Sequence, residues 1–270
     1  MAMEQVKAVL FDFDGTLSTL RAGWEQIMAP FMKESILGDT VLPPEQMEEL
    51  EAEIAAHIDH STGTQTIFQM RWLAEQVKSK GWNPHVLGEW DYKAEYNRRL
   101  LQKISDHVEG LRSGEIAAER FLIKGSLALL ELLHKHGIDM YVASGTDHPD
   151  VVNEAEALGV RHYFKEIAGA PVGLADCSKV KVMRDLITLK GFQGHELAII
   201  GDGKVEIGLA KENGALALGV ASDEFRREGI NPVKERRLLA AGADRIAGDY
   251  SNLAMWAEWM GVDCHEHADH

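Results

Sequence analysis

The chain has 270 residues, 45% of them hydrophobic and 26% charged, and a formal net charge of −15 at pH 7. That length buries a sizeable core as one large or two smaller domains, and so acidic a balance argues against an extended nucleic-acid backbone as partner. No apolar stretch approaches a membrane span, the start Met1-Ala2-Met3-Glu4 lacks a signal peptide's basic opening, and Cys177 and Cys264 form neither a disulfide framework nor a zinc cluster; the expected setting is the cytoplasm.

The apolar run Val6 to Phe11 reads as a buried strand, ended by Gly15-Thr16. Two carboxylates, Asp12 and Asp14, follow it one residue apart. Residues two apart in a strand point the same way, so both should stand at the strand's carboxyl end, where open α/β sheets place their ligands. Like charges that close need a shared proton or a cation between them, and hard oxygen ligands suit Mg²⁺.

Beyond Leu17 the period changes. Trp24, Ile27, Met28, Phe31 and Met32 recur at helical spacing, as do Met47, Leu50, Ile54 and Ile58, with Pro43-Pro44 between the two sets. Further helices are expected over 66–80 and 91–105. No strand is expected from Leu17 to about Glu119, so residues 18–119 read as an inserted helical domain.

Alternation returns at Phe121. A helix over 125–136 leads to a strand over 138–143 that ends at Ser144-Gly145-Thr146. A helix near 149–158 and a short extended segment at 163–167 come next. A helix over 179–190 then feeds the strand 197–200, which ends at Gly201-Asp202-Gly203. A helix over 204–213 and strands at 215–220 and 245–247 complete the pattern. Strands alternating with helices predict an α/β fold with a mostly parallel, doubly wound sheet. The polar excursion Ser222 to Arg237 receives no role, and the histidines of the tail 265–270 read as a solvated end rather than a metal site.

Three strand ends therefore present chemistry in order: Asp12-Phe13-Asp14-Gly15-Thr16, Val142-Ala143-Ser144-Gly145-Thr146, and Gly201-Asp202-Gly203-Lys204-Val205-Glu206, with Ser178-Lys179-Val180-Lys181-Val182 opening a helix before the third. Each alone has a bland explanation as a turn or helix cap. Together they resemble the four motifs of the haloacid dehalogenase superfamily, whose members are mostly phosphohydrolases with an aspartyl nucleophile.

The resemblance implies a Rossmann-like core from residues 1–17 and 120–270 and a helical cap from 18–119, similar to caps of the phosphoserine phosphatase, phosphoglycolate phosphatase and β-phosphoglucomutase branches. It implies Asp12 as nucleophile, Asp14 as acid and base, and Mg²⁺ held by Asp12, the Asp14 carbonyl and Asp202, with Glu206 binding directly or through water. Ser144, Gly145 and Thr146 would hold phosphoryl oxygens. A lysine would neutralise the shared charge, Lys179 being preferred to Lys181 because it follows Ser178, a natural N-cap. Lys124-Gly125 replaces the usual Pro-Gly, Gly203 stands where many members carry Asp, and Glu206 replaces the commoner Asp.

The second aspartate favours phosphoester over carbon–halogen chemistry. The expected partner is a small phosphorylated metabolite, a sugar phosphate or phospho-acid, with no nucleic acid and no membrane. Rivals are a phosphosugar mutase and a non-catalytic binding protein, the latter weakened by the presence of Asp12, Asp14 and Asp202. Within the cap, Arg21, Gln65 and Lys93 are candidates to touch substrate, beside Gln69, Tyr96 and Asn97, although a solvated amphipathic face explains any one of them.

Overall fold

A computed structural model describes residues 5–175 and 178–263, so Cys177, Cys264 and the histidine-rich tail lie outside the described residues, as does the side chain of Ser178. Six strands form one sheet in the order β3-β2-β1-β4-β5-β6: β1 (Ala8–Phe11), β2 (Asp139–Asp147), β3 (Glu166–Ala170), β4 (Leu197–Gly201), β5 (Leu216–Val220) and β6 (Arg245–Ala247). Every neighbouring pair is parallel.

All four residues of β1 are buried because helices cover both faces, as parallel sheets require. Val9 and Phe11 face one apolar layer built on α5 (Ser126–Lys135), α6 (His148–Ala157) and α10 (Leu253–Met260). Ala8 and Leu10, alternating with them, face the layer of α7 (Ser178–Thr188), α8 (Lys204–Glu212) and α9 (Pro232–Ala241). The register sets Phe11 opposite Val142 on β2 and Ile200 on β4. Asp12, Ser144 and Asp202 thus emerge at the same edge of the sheet.

Between β1 and α5 stand α1 (Glu25–Leu37), α2 (Pro44–Ser61), α3 (Thr66–Lys80) and α4 (Glu89–Ser113). They enclose an apolar cluster of their own, in which Met32, Ile54, Leu73 and Tyr96 meet. The chain leaves and re-enters the core side by side: Thr19 N–H donates to Phe121 O at 2.7 Å, and Ile123 N–H to Leu17 O at 2.9 Å. No helix among the described residues is long and apolar enough to cross a membrane.

Three elements differ from the sequence expectation. The last long helix of the insert, α4, runs on to Ser113, because Val108 and Leu111 at its end join the sheet's apolar layer and draw the helix out of the insert. Strand β2 continues through Ser144-Gly145-Thr146 to Asp147, with a shift of register against β3 after Ala143. The polar excursion after β5 contains α9, capped by the Asn231 side chain and opened by Pro232.

Candidate active site

The strand ends line a cavity of about 720 Å³ of empty space, counted with its open mouth, between the sheet edge and the insert. Asp12, directly after β1, is buried; its backbone N–H donates to Ile200 O at 2.9 Å, which fixes it to β4. Its Oδ1 lies 2.8 Å from Nζ of Lys179, on the first turn of α7. Lys181 is exposed, and of the two lysines it is Lys179 that reaches the aspartate.

Lys179 also pairs with Glu206 of α8. Burial works against the ammonium charge, but Asp12 and Glu206 more than offset it and keep Lys179 protonated. Burial likewise pushes the Asp12 carboxyl upward; Lys179 pulls it back, while Glu206 and Asp202 push it up again. Glu206 turns toward Lys179, outside the cavity wall, where it orients the lysine.

Asp14 is held by the loop after β2. Thr146 Oγ1 donates to Asp14 Oδ2 at 2.8 Å, Ser144 Oγ approaches the same oxygen at 3.4 Å, and Ser144 Oγ accepts from Thr146 N–H at 3.0 Å. Ser144, Gly145 and Thr146 all face the cavity. Two glycines make the enclosure possible. Gly15 sits at φ +71°, where any Cβ would also fall 2.3 Å from Asp202 Oδ2. A Cβ on Gly145 would fall 2.8 Å from the Thr64 carbonyl, so glycine lets the turn before α3 close against the β2 loop.

The excursion after β5 supplies two residues that the sequence reading passed over. Glu224 enters the cavity wall, and Lys234, on the first turn of α9, donates to Asp202 Oδ2 and to Glu224 Oε1, each at 2.6 Å. Ser222 completes the contact by donating to the Gly15 carbonyl. The available signal was topological: β5 neighbours β4, so the loop after β5 opens at the same sheet edge as Asp202.

The cap candidates separate. Arg21 lines the cavity, yet its guanidinium is bound to Glu154 of α6, with Nη2 to Oε1 at 2.6 Å and Nε to Oε1 at 3.0 Å. Gln65 lies outside the main cavity, beside a smaller hollow shared with Phe68 and Gly145, and both its amide atoms are buried without a hydrogen-bond partner. Lys93 does not reach the cavity: it pairs with Asp147, which also accepts from Asn97 Nδ2 at 2.9 Å, and so ties α4 to the end of β2. Gln69 and Tyr96 do line the cavity.

The donor set fits a hard divalent cation. Asp12 and Glu206 stand against Lys179 and Asp202 against Lys234, Asp14 lines the same cavity, and one oxygen each of Asp14 and Glu206 is buried without a hydrogen bond. Among the described residues no three acidic, histidine or cysteine side chains form a cluster able to hold an ion by themselves. A bound ion would need further oxygen donors, such as backbone carbonyls and water, beside these carboxylates.

Comparison with known proteins shows the family and the fold. Residues 6–214 match the family model of haloacid dehalogenase-like hydrolases. A crystal structure described as a predicted phosphoglycolate phosphatase from Haemophilus somnus is similar over 94% of this chain and 99% of its own, at TM-score 0.63 and 17% identity. CbbY from Rhodobacter sphaeroides, in complex with phosphate, is similar over 92% and 96%, at TM-score 0.52 and 21% identity. A β-phosphoglucomutase from Clostridium difficile is similar over 94% and 97%, at TM-score 0.58 and 13% identity. No curated protein matches the chain by sequence.

Proposed function

Because the chain belongs to the haloacid dehalogenase-like hydrolases, we propose that it is a Mg²⁺-dependent phosphatase that hydrolyses a small phosphorylated metabolite through an aspartyl phosphate. The observation that carries this reading is the buried Asp12 carboxylate held at 2.8 Å by Lys179, with Asp14 fixed beside it by Thr146.

Asp12 attacks phosphorus in line with the departing oxygen, which splits a very slow hydrolysis into two transfers. Asp14 gives its proton to the leaving alkoxide and then takes one from the water that attacks the aspartyl phosphate. Lys179 neutralises charge shared between Asp12 and the phosphoryl oxygens, and Glu206 keeps the ammonium aimed there. Ser144 and the backbone N–H groups at Gly145 and Thr146 hold the remaining oxygens. Asp12, the Asp14 carbonyl and Asp202 would hold the magnesium ion, which when bound supplies positive charge to the phosphoryl group. The four-helix layer serves as the cap over this chemistry.

Phosphate release from a panel of phosphorylated metabolites, with and without Mg²⁺, tests the proposal, with Asp12→Asn as the blank. Metal-dependent release should fall at least about a thousandfold in the variant, as expected when a covalent nucleophile is removed. Equal release by Asp12→Asn and wild type would remove Asp12 from the mechanism. A phosphosugar mutase using the same residues would instead yield a sugar-phosphate isomer with no free phosphate.

A further inference from the structure

The cavity wall contains two cations, Arg21 and Lys179, among its described residues. Lys179 is engaged by Asp12 and Glu206. Arg21 is engaged more heavily still: beyond its three bonds to Glu154, Nη2 lies 3.5 Å from Asp150 and Nε lies 3.9 Å from Asp14. Glu154 and Arg21 are 1% and 9% exposed, so water screens their attraction little. Glu224 adds a further carboxylate to the wall, and the lysine behind it is shared with Asp202.

A substrate's phosphoryl group has Lys179 and the metal to receive it. A second anionic group on the same substrate meets no spare cation among the described wall residues. It would face acidic side chains or have to break a buried ion pair, and a like charge brought against desolvated carboxylates is strongly disfavoured. Specificity then comes from repulsion as much as from attraction. The polar groups remaining in the wall, such as Gln69, Thr66 and the Tyr96 hydroxyl, suit hydroxyl groups.

Resting on the phosphatase reading, we propose that Glu154 and Asp150 of α6 set specificity by claiming Arg21: the enzyme accepts phosphomonoesters whose organic part is uncharged and hydroxylated, and turns away those carrying a carboxylate or a second phosphate. Of the substrate classes expected from the sequence, this selects sugar and polyol phosphates over phospho-acids.

The test compares 2-phosphoglycolate with 2-hydroxyethyl phosphate, which differ by a carboxylate against a hydroxymethyl group. At pH 8 with Mg²⁺, wild type should favour the neutral ester at least tenfold in kcat/KM. Glu154→Gln should shift the ratio toward the carboxylate at least fivefold, and Asp150→Asn/Glu154→Gln further. Adding Arg21→Met should erase the gain, because the freed guanidinium is what receives the carboxylate. Asp150→Asn alone, at a more exposed site, gives a second reading if Glu154→Gln folds poorly. Calorimetric binding of both esters to Asp12→Asn protein in Mg²⁺ reads the same preference without turnover, which separates failure of this inference from failure of the phosphatase reading. A wild-type preference for phosphoglycolate, or a ratio that stays within twofold in Glu154→Gln and the double variant, would overturn it.

Discussion

Lys234 donates to Asp202 across 2.6 Å, placing a fixed ammonium against a carboxylate proposed to bind metal. The same Nζ holds Glu224 at 2.6 Å, and burial, which alone would discharge the lysine, is outweighed by these two acids. The segment after β5 therefore adds a second fixed ammonium to the site beside Lys179.

Removing that charge has an expected signature. Lys234→Met leaves two largely buried carboxylates facing each other, and breaking such a pair from one side costs about 3–5 kcal/mol. Thermal unfolding without metal should move down by several degrees for a chain of this size. Mg²⁺ should raise the melting temperature more in the variant than in wild type, since a ligand that binds only the folded state stabilises it more when no tethered cation competes. A variant that melts with wild type in both conditions would mean that Lys234 does not balance these acids.

Thr146 gives a way to test Asp14 without replacing it. Its hydroxyl is the closest donor to the Asp14 carboxylate, at 2.8 Å, against 3.9 Å from Asp14 to the Arg21 guanidinium. Thr146→Val keeps the side-chain volume and loses the bond, so Asp14 is less well aimed at the leaving oxygen. kcat/KM for an alkyl phosphate, which reads the first transfer and not the hydrolysis of the aspartyl phosphate, should fall roughly 10–100-fold, a part of the roughly 10²–10⁴-fold that general acid catalysis supplies. p-Nitrophenyl phosphate, whose leaving group departs without a proton, should lose less than about threefold. Equal losses on both esters would point to disturbed phosphate binding instead.

The three strand-end motifs were legible because each has a short local signal: an apolar run, then Asp, Ser or Gly at its end; Ser178-Lys179 was legible as a helix start. Adjacent strands in register did the rest, and they bring Asp12, Ser144 and Asp202 together. Lys93 and Arg21 were legible as cations of the insert, but their ion pairs were not, because the partners Asp147 and Glu154 lie 54 and 133 residues away. Helix α9 was missed for a different reason. It has the Asn231-Pro232 start and the Gly242 stop of a helix, but only Leu238 along it is buried, so no apolar period marks it. Its contribution is the lysine on its first turn, which only the folded chain sets beside Asp202.

Glu154 provides a pH test of its surroundings. Burial pushes its carboxyl up from the ordinary 4.5 to about 7; Arg21 pulls it down, and Asp14 and Asp150 push it up. A carboxyl raised by folding binds its proton more tightly in the native state, so the native state loses stability as pH rises from about 4.5 to about 7 and gains none beyond. Two and a half pH units of such a shift correspond to a loss on the order of 3 kcal/mol. Glu154→Gln carries no proton to lose and still leaves Arg21 facing Asp14 and Asp150. Asp150, also raised by its burial, titrates in both proteins and largely cancels in the difference. The melting temperature of Glu154→Gln, measured against wild type, should therefore climb between pH 5 and pH 8. A difference that stays flat across that window would show that the Arg21 ion pair fully offsets the burial of Glu154.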